Sequence, residues 1–171
     1  MATVVHPHQG SEAIDSFLMI QTAKAGKIKG ESRAKGHEDE IVVTGWQWGM
    51  SSSSALGSTQ ATGRRSYTAL TITKQVDLAT TGILKAAATN DEVKEAKLTL
   101  RRAGGDQVDF LKVTLKSARI VSVDHSGRTD GGMVETVGIA FTKVEVEYAA
   151  QQTTGFRGGA AIFTDELVSN A

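Results

Sequence analysis

At 171 residues the chain is long enough to close one well-buried core, and the length suits a single domain over 1–171 rather than two. Lys plus Arg equals Asp plus Glu at 19 each, so no global field draws in nucleic acid or an anionic membrane, and neither is expected as a partner. Cysteine is absent, which removes disulfides, thiolate nucleophiles and Cys-ligated metals together.

Residues 1–14, which include His6, Pro7 and His8, follow no periodic pattern and read as an arm that is loose in the monomer and that a partner could order. Ser16 to Gln21 is short and apolar, which suits a strand buried on both faces, and the basic stretch Lys24 to Gly36 follows as a loop. From Glu40 to Met50 the alternation places Val42, Thr44, Trp46, Trp48 and Met50 on one face and Gly45, Gln47 and Gly49 on the other. Tryptophan on one strand face usually supplies core area rather than a ligand platform, so Trp46 and Trp48 are expected as core anchors. Ser51 to Gly63, with Ser51, Ser52, Ser53, Ser54, Gly57 and Gly63, is too polar to pack and longer than a hairpin turn needs, the mark of a disordered loop or a contact arm.

Tyr67 to Val76 reads as a strand with Leu70 and Ile72 on one side. Thr80 or Thr81 can cap the one substantial helix, in which Ile83, Leu84, Ala87 and Ala88 recur at helical spacing until Asn90. Lys94 to Arg102 alternates, with Ala96, Leu98 and Leu100 inward and Glu95, Lys97, Thr99 and Arg101 outward, and Gly104-Gly105-Asp106 turns the chain into a long, bent strand from Val108 to Val123. In Val134 to Ala149 the apolar positions change phase between Phe141 and Val144, which a bulge near Thr142 and Lys143 reconciles. Residues 15–150 thus read as a mainly β core, a barrel or sandwich with one short helix, and residues 151–171 as a tail.

The chemistry in the sequence is sparse. His37-Glu38-Asp39-Glu40 is the densest group of potential ligands, but consecutive strand residues point to opposite faces and cannot all meet one ion, so a solvated strand entrance is expected there and no metal. No Gly-x-Ser-x-Gly elbow supports a triad, the paired glycines lack a phosphate-binding fingerprint, and Arg64-Arg65 and Arg101-Arg102 carry no interleaved aromatics. No cofactor and no catalysis are expected. No apolar run approaches the roughly 18 residues that span a bilayer, and Met1 to Gly10 lacks the signal of the general secretory route.

Several stretches resemble, in order, the haemolysin-coregulated protein (Hcp) family of type VI secretion systems. They are Gly30-Glu31-Ser32, His37-Glu38-Asp39-Glu40-Ile41, Trp46-Gln47-Trp48-Gly49 and Thr73-Lys74-Gln75-Val76-Asp77, followed by the run from Ala96 to Gly105, Phe110 to Leu115 and Val144 to Tyr148. The resemblance implies a β-barrel of two packed antiparallel sheets with one helix, related to phage tail-tube proteins. It also implies a homohexameric ring, stacked into an inner tube that a contractile sheath propels from the bacterial cytoplasm with a spike protein and effectors carried in the lumen. The protein would then be exported without a signal peptide. With Trp46 and Trp48 turned inward, Gln47 would face the lumen between Gly45 and Gly49, and the loop Ser51 to Gly63 would reach a neighbouring subunit or ring.

Overall fold

A computed structural model describes residues 13–53, 64–103, 107–151 and 157–167. Twelve strands and one helix follow in chain order among these residues: β1 (Ile14–Thr22), β2 (Gly26–Ile28), β3 (Ile41–Val43), β4 (Gly45–Gln47), β5 (Met50–Ser52), β6 (Arg65–Tyr67), β7 (Leu70–Gln75), α1 (Thr80–Ala88), β8 (Val93–Arg102), β9 (Asp109–Gly127), β10 (Met133–Ala140), β11 (Lys143–Gln151) and β12 (Arg157–Glu166). Residues 1–12, Ser54, Gly57, Gly63 and the Gly104-Gly105 turn lie outside the described residues.

All pairings are antiparallel. One half of the main sheet runs β2 or β3, β1, β8, β9, β11, β12, and the other runs β9, β10, β7, β4. The 19-residue β9 belongs to both. Its first part pairs with β8 on one edge and β11 on the other, and its second part pairs with β10. The bend between them falls at Ser117, whose φ of 48° is left-handed, and the Ser117 carbonyl exposed there accepts both the backbone N–H (3.2 Å) and the hydroxyl (2.9 Å) of Thr142.

The phase change in the sequence near Thr142 is therefore a break rather than a bulge. The chain leaves β10 on one part of β9 and starts β11 on the other, so the inward parity is reset. The true bulge lies opposite, where the β9–β10 register shifts beside Val121.

A second corner divides the tryptophan segment. β3 pairs with β1 and β4 with β7, and between them Thr44 bonds the Thr73 carbonyl through both its N–H (2.8 Å) and its hydroxyl (3.0 Å). The expected single strand from Glu40 to Met50 is therefore three short ones. Ile41 and Val43 enter the core, whereas Val42 is exposed, the reverse of the alternation read from the sequence. Because β3 and β4 each pair with only one neighbour, the sheet folds over itself without closing into the expected barrel. The mainly β fold of two packed antiparallel layers with one short helix is as expected.

Between the layers, Leu18, Ile20, Ile41, Leu70, Ile72, Leu98, Leu115, Val137 and Ile139 pack with Ile83 and Ala86 of α1. The helix closes at Ala88, and Asn90 just beyond it has a left-handed φ of 50°. Its N-terminus departs from the expectation: Ala79 occupies the cap position with no side-chain bond, and the Thr80 hydroxyl is directed to other partners. Leu84, expected on the buried face, is exposed.

The expected tail also differs, since residues 157–166 form β12 along β11. Lys24 to Gly36 contains β2, a short hairpin partner of β1.

Leu98→Ala should cost about 2–5 kcal/mol, the usual range for a large-to-small change in a tight core, measured by urea unfolding. Gly30→Ala should cost about 1–3 kcal/mol in the same assay, because an added Cβ would stand 2.4 Å from the Glu40 carbonyl oxygen.

Candidate functional site

Sheet pairing puts Gly45 and Gln47, two of the three residues expected at a lumen, on one surface. On β4, Gly45 lies opposite Thr73 and Gln47 opposite Thr71; beyond them on β10 stand Thr136 and Gly138, and on β9 Asp124 and Ser122. The opposite face of these strands carries the core residues Leu70, Ile72, Val137 and Ile139, so period-two alternation directs Gln47 and its neighbours outward. Gln47 is exposed, and this surface holds small, mostly uncharged side chains. Gly49 lies beyond β4, with nothing within 4 Å of a Cβ built there.

The two tryptophans part ways. Trp46 is opposite Ile72 on the core side of β4, but β4 is the edge strand and nothing covers it fully, which leaves the side chain 37% exposed. It is not the core anchor expected of it in this chain. Trp48 packs partly buried against the core, stacked on Tyr67 (6.0 Å between centroids) and edge-on to Phe141 (6.3 Å).

This aromatic group sits at the foot of the two-stranded ribbon β5–β6, which belongs to neither half of the main sheet. Ser51, Ser52 and Ser53 are exposed along it. The ribbon is fastened to β12. The Arg65 guanidinium grips Asp165 through Nε and through Nη2 (2.8 Å) and reaches the Glu166 carbonyl (3.1 Å), while the Tyr67 hydroxyl donates to Asp165 (2.8 Å). These bonds hold the Asp165 carboxyl below its ordinary value, Arg65 contributing most and Tyr67 next. The Tyr67 phenol is pushed up by burial and then by its hydrogen bond to Asp165.

His37 is buried rather than the solvated strand entrance expected of it. The loop carrying it folds back on itself, with Gly30 N–H donating to the Asp39 carbonyl (2.8 Å) and Ser32 N–H to that of Glu40 (3.0 Å). The Gly30-Glu31-Ser32 and His37-to-Ile41 motifs are thus two sides of one structure. His37 stacks on Phe17 at 4.4 Å, and its Nδ1 and Nε2 meet Glu40 (2.8 Å) and Asp109 (2.9 Å).

Under the same loop, Arg101 lies over the Phe17 ring and donates to the Lys35 carbonyl. Arg101, expected outward toward solvent, is buried for this reason, and Thr99 on the same side of β8 is buried as well. Both imidazole nitrogens are spent on carboxylates, which leaves none to ligate a metal.

A further group escaped the sequence reading. Lys74, Glu135 and His125 form one cross-strand row on β7, β10 and β9. Lys74 and Glu135 are both 0% exposed. The Lys74 ammonium lies 2.7 Å from Asp77 and 3.4 Å from Glu135. Glu135 Oε2 accepts from the Thr80 hydroxyl (2.7 Å) and meets His125 Nε2 (3.1 Å).

A hydroxyl, an imidazole and a carboxylate are present, but both of the first two converge on the carboxylate. In a nucleophilic triad the imidazole stands between the others. The group ties α1 to the sheet. The signal available was the Lys74-to-Asp77 spacing just before a helix, which period alone could not pair with a glutamate 61 residues on.

Comparison with known proteins places this architecture. A profile of the family described as Type VI secretion system effector, Hcp, matches residues 17–148. The chain belongs to the Hcp family. Protein hcp1 of Pseudomonas aeruginosa is 36% identical over 156 residues, covering 88% of this chain and 92% of that protein. Among solved structures, a type six secretion system protein superposes with a TM-score of 0.82 at 26% identity, covering 93% of this chain and 99% of that one. Hcp1 from Salmonella typhimurium superposes at 0.74 and 28%, covering 91% and 95%. The Hcp match takes in every motif that carried the resemblance, and it ends before β12.

Lys74→Met should destabilise by about 3–5 kcal/mol, since it takes the ammonium from the fully buried Glu135 and from the half-buried Asp77, and Lys74→Met with Glu135→Leu should recover part of that loss; thermal unfolding of the single and double variants checks both. The folded pKa of Asp165 lies below the ordinary 3.8, so its contribution is complete above that value and is lost as pH falls through the lowered one. Acid unfolding of Asp165→Asn should therefore lack the part of the acid limb that this carboxyl supplies to the wild type.

Proposed function

We propose that this chain is the tube-building subunit of a type VI secretion system, assembled as homohexameric rings that stack into an inner tube. Membership of the Hcp family over residues 17–148 carries this reading. The fold supports it physically. A sheet with its core on one face can line a cavity with the other, and heterologous contacts close into a ring where the rotation permits. The unpaired edges of β4 and β12 among the described residues supply surfaces for such contacts.

In this reading Gln47, Gly45 and Gly49 face the lumen, and Ser51, Ser52 and Ser53, with Ser54, Gly57 and Gly63 beyond them, belong to the loop that meets a neighbouring subunit or ring. Small effector proteins enter the lumen, and the spike protein and contractile sheath are the other partners. The subunit starts in the bacterial cytoplasm and leaves with the tube. None of these steps requires the subunit to be a catalyst.

Negative-stain microscopy should show rings, and light scattering a mass near six chains; a chain that stays monomeric at all concentrations ends this reading. Gln47→Lys and Gln47→Glu should leave rings intact and change the recovery of co-expressed effectors. Unchanged recovery with both charges would remove Gln47 from the lumen wall.

A further inference from the structure

We infer that Asp165 is a positioning residue for assembly: from β12 it clasps the β5–β6 ribbon in the direction that meets a neighbouring copy. This rests on the tube-subunit reading above for the identity of the partner, but the clasp itself is geometric.

An isolated two-stranded ribbon is marginal in water and cannot hold its own direction. Here β5 and β6 pair only with each other, so the ribbon's aim depends on contacts at its foot. Those contacts fall into two sets.

The first is local to the segment. Thr68 N–H donates to the Gly49 carbonyl (3.0 Å), Gly49 N–H donates to the Thr68 hydroxyl (2.9 Å), and Trp48 stacks on Tyr67. These fix the hairpin's base but leave rotation of the ribbon against the body.

The second set crosses 100 residues of sequence to the strand edge. A guanidinium held through two nitrogens on one carboxylate fixes a plane as well as a distance. The Tyr67 hydroxyl on the same carboxylate adds a second point of attachment, and Tyr67 also meets Phe141 edge-on at 5.5 Å. Arg65 and Tyr67 lie two residues apart on β6, so they share a face, and that face is the one turned to β12.

The surroundings point to a second copy as the partner. Met50 on the ribbon and Ile162 and Phe163 on β12 are large apolar side chains left exposed, and β12 has no partner on its outer edge among the described residues. Exposed apolar groups beside an open strand edge form a surface that another chain covers. A ribbon already held in place loses less freedom when it is covered, so the clasp strengthens association without touching the partner.

The test compares the full-length wild type, Asp165→Asn, and the exchanged pair Arg65→Asp with Asp165→Arg. Hydrogen–deuterium exchange reads the ribbon amides at 50–53 and 64–67 against those of β8, and sedimentation reads the concentration at which half the chain is assembled. Asp165→Asn should raise ribbon exchange about tenfold, leave β8 unchanged, and raise the half-assembly concentration about tenfold, the scale of one lost charge-assisted bond. The exchanged pair should return both toward wild type.

Unchanged ribbon exchange in Asp165→Asn overturns the clasp, and so does loosening of β8 to the same degree, which would make Asp165 a general determinant of the fold. A loosened ribbon with unchanged assembly overturns the role in association. A wild type that never assembles overturns the tube reading and the assembly role together, while the exchange comparison still decides the clasp.

Discussion

The bend of β9 at Ser117 is the constraint on which the rest of the structure depends. A single strand of 19 residues serves as the shared member of both layers, and it can do so only by turning between its two parts. The left-handed φ at Ser117 opens a carbonyl that an ordinary ladder would occupy, and Thr142 fills it with two bonds. That contact sets where β10 ends and β11 begins. From it follow the layer order and the enclosure of Leu98, Leu115 and Ile139.

Charged groups are used to fasten elements that apolar packing alone would leave free. The loop from Gly30 to Glu40 covers Phe17 by stacking His37 on it and holding the ring between two carboxylates. The short helix is tied to the sheet through Thr80 on Glu135 and Asp77 on Lys74. The ribbon is held through Arg65 and Tyr67 on Asp165. Burying ions carries a desolvation penalty that close pairing offsets only in part. These pairs are best understood as fixing geometry rather than as adding large net stability.

The two outer faces of the fold differ in chemistry in a way that bears on assembly. Across β4, β7, β10 and β9 the face bearing Gln47 carries threonine, serine and glycine, with Asp124 as the charged member of those rows. Across β8, β9, β11 and β12 the solvent side carries Glu95, Lys116, Lys143 and Glu166 in one row, with Lys112 opposite Glu147 in another. A surface of small, mostly uncharged side chains places little charge requirement on whatever approaches it. Two lysines meet in the middle of the first row with a glutamate on either side, and such exposed charge pairs weaken as salt rises.

The amino-acid sequence by itself determined the strands with strong local signals: β8 from its alternation, β7 from Leu70 and Ile72, the long bent β9, and the helix up to Asn90. It also determined the family, since ordered motifs survive whatever their structural roles are. What only the tertiary structure decided lies at corners and in long-range pairs. Period-two reasoning over one continuous strand put Val42 inward, whereas the turn at Thr44 gives β3 the opposite parity; Trp46 keeps the core side of β4 but stays exposed because that strand is an uncovered edge. Arg101 looks solvent-facing until a loop from elsewhere covers it. Lys74 with Glu135, and Arg65 with Asp165, are separated by too many residues for any local pattern to join them; the sheet register and the folding of the chain over itself bring each pair together.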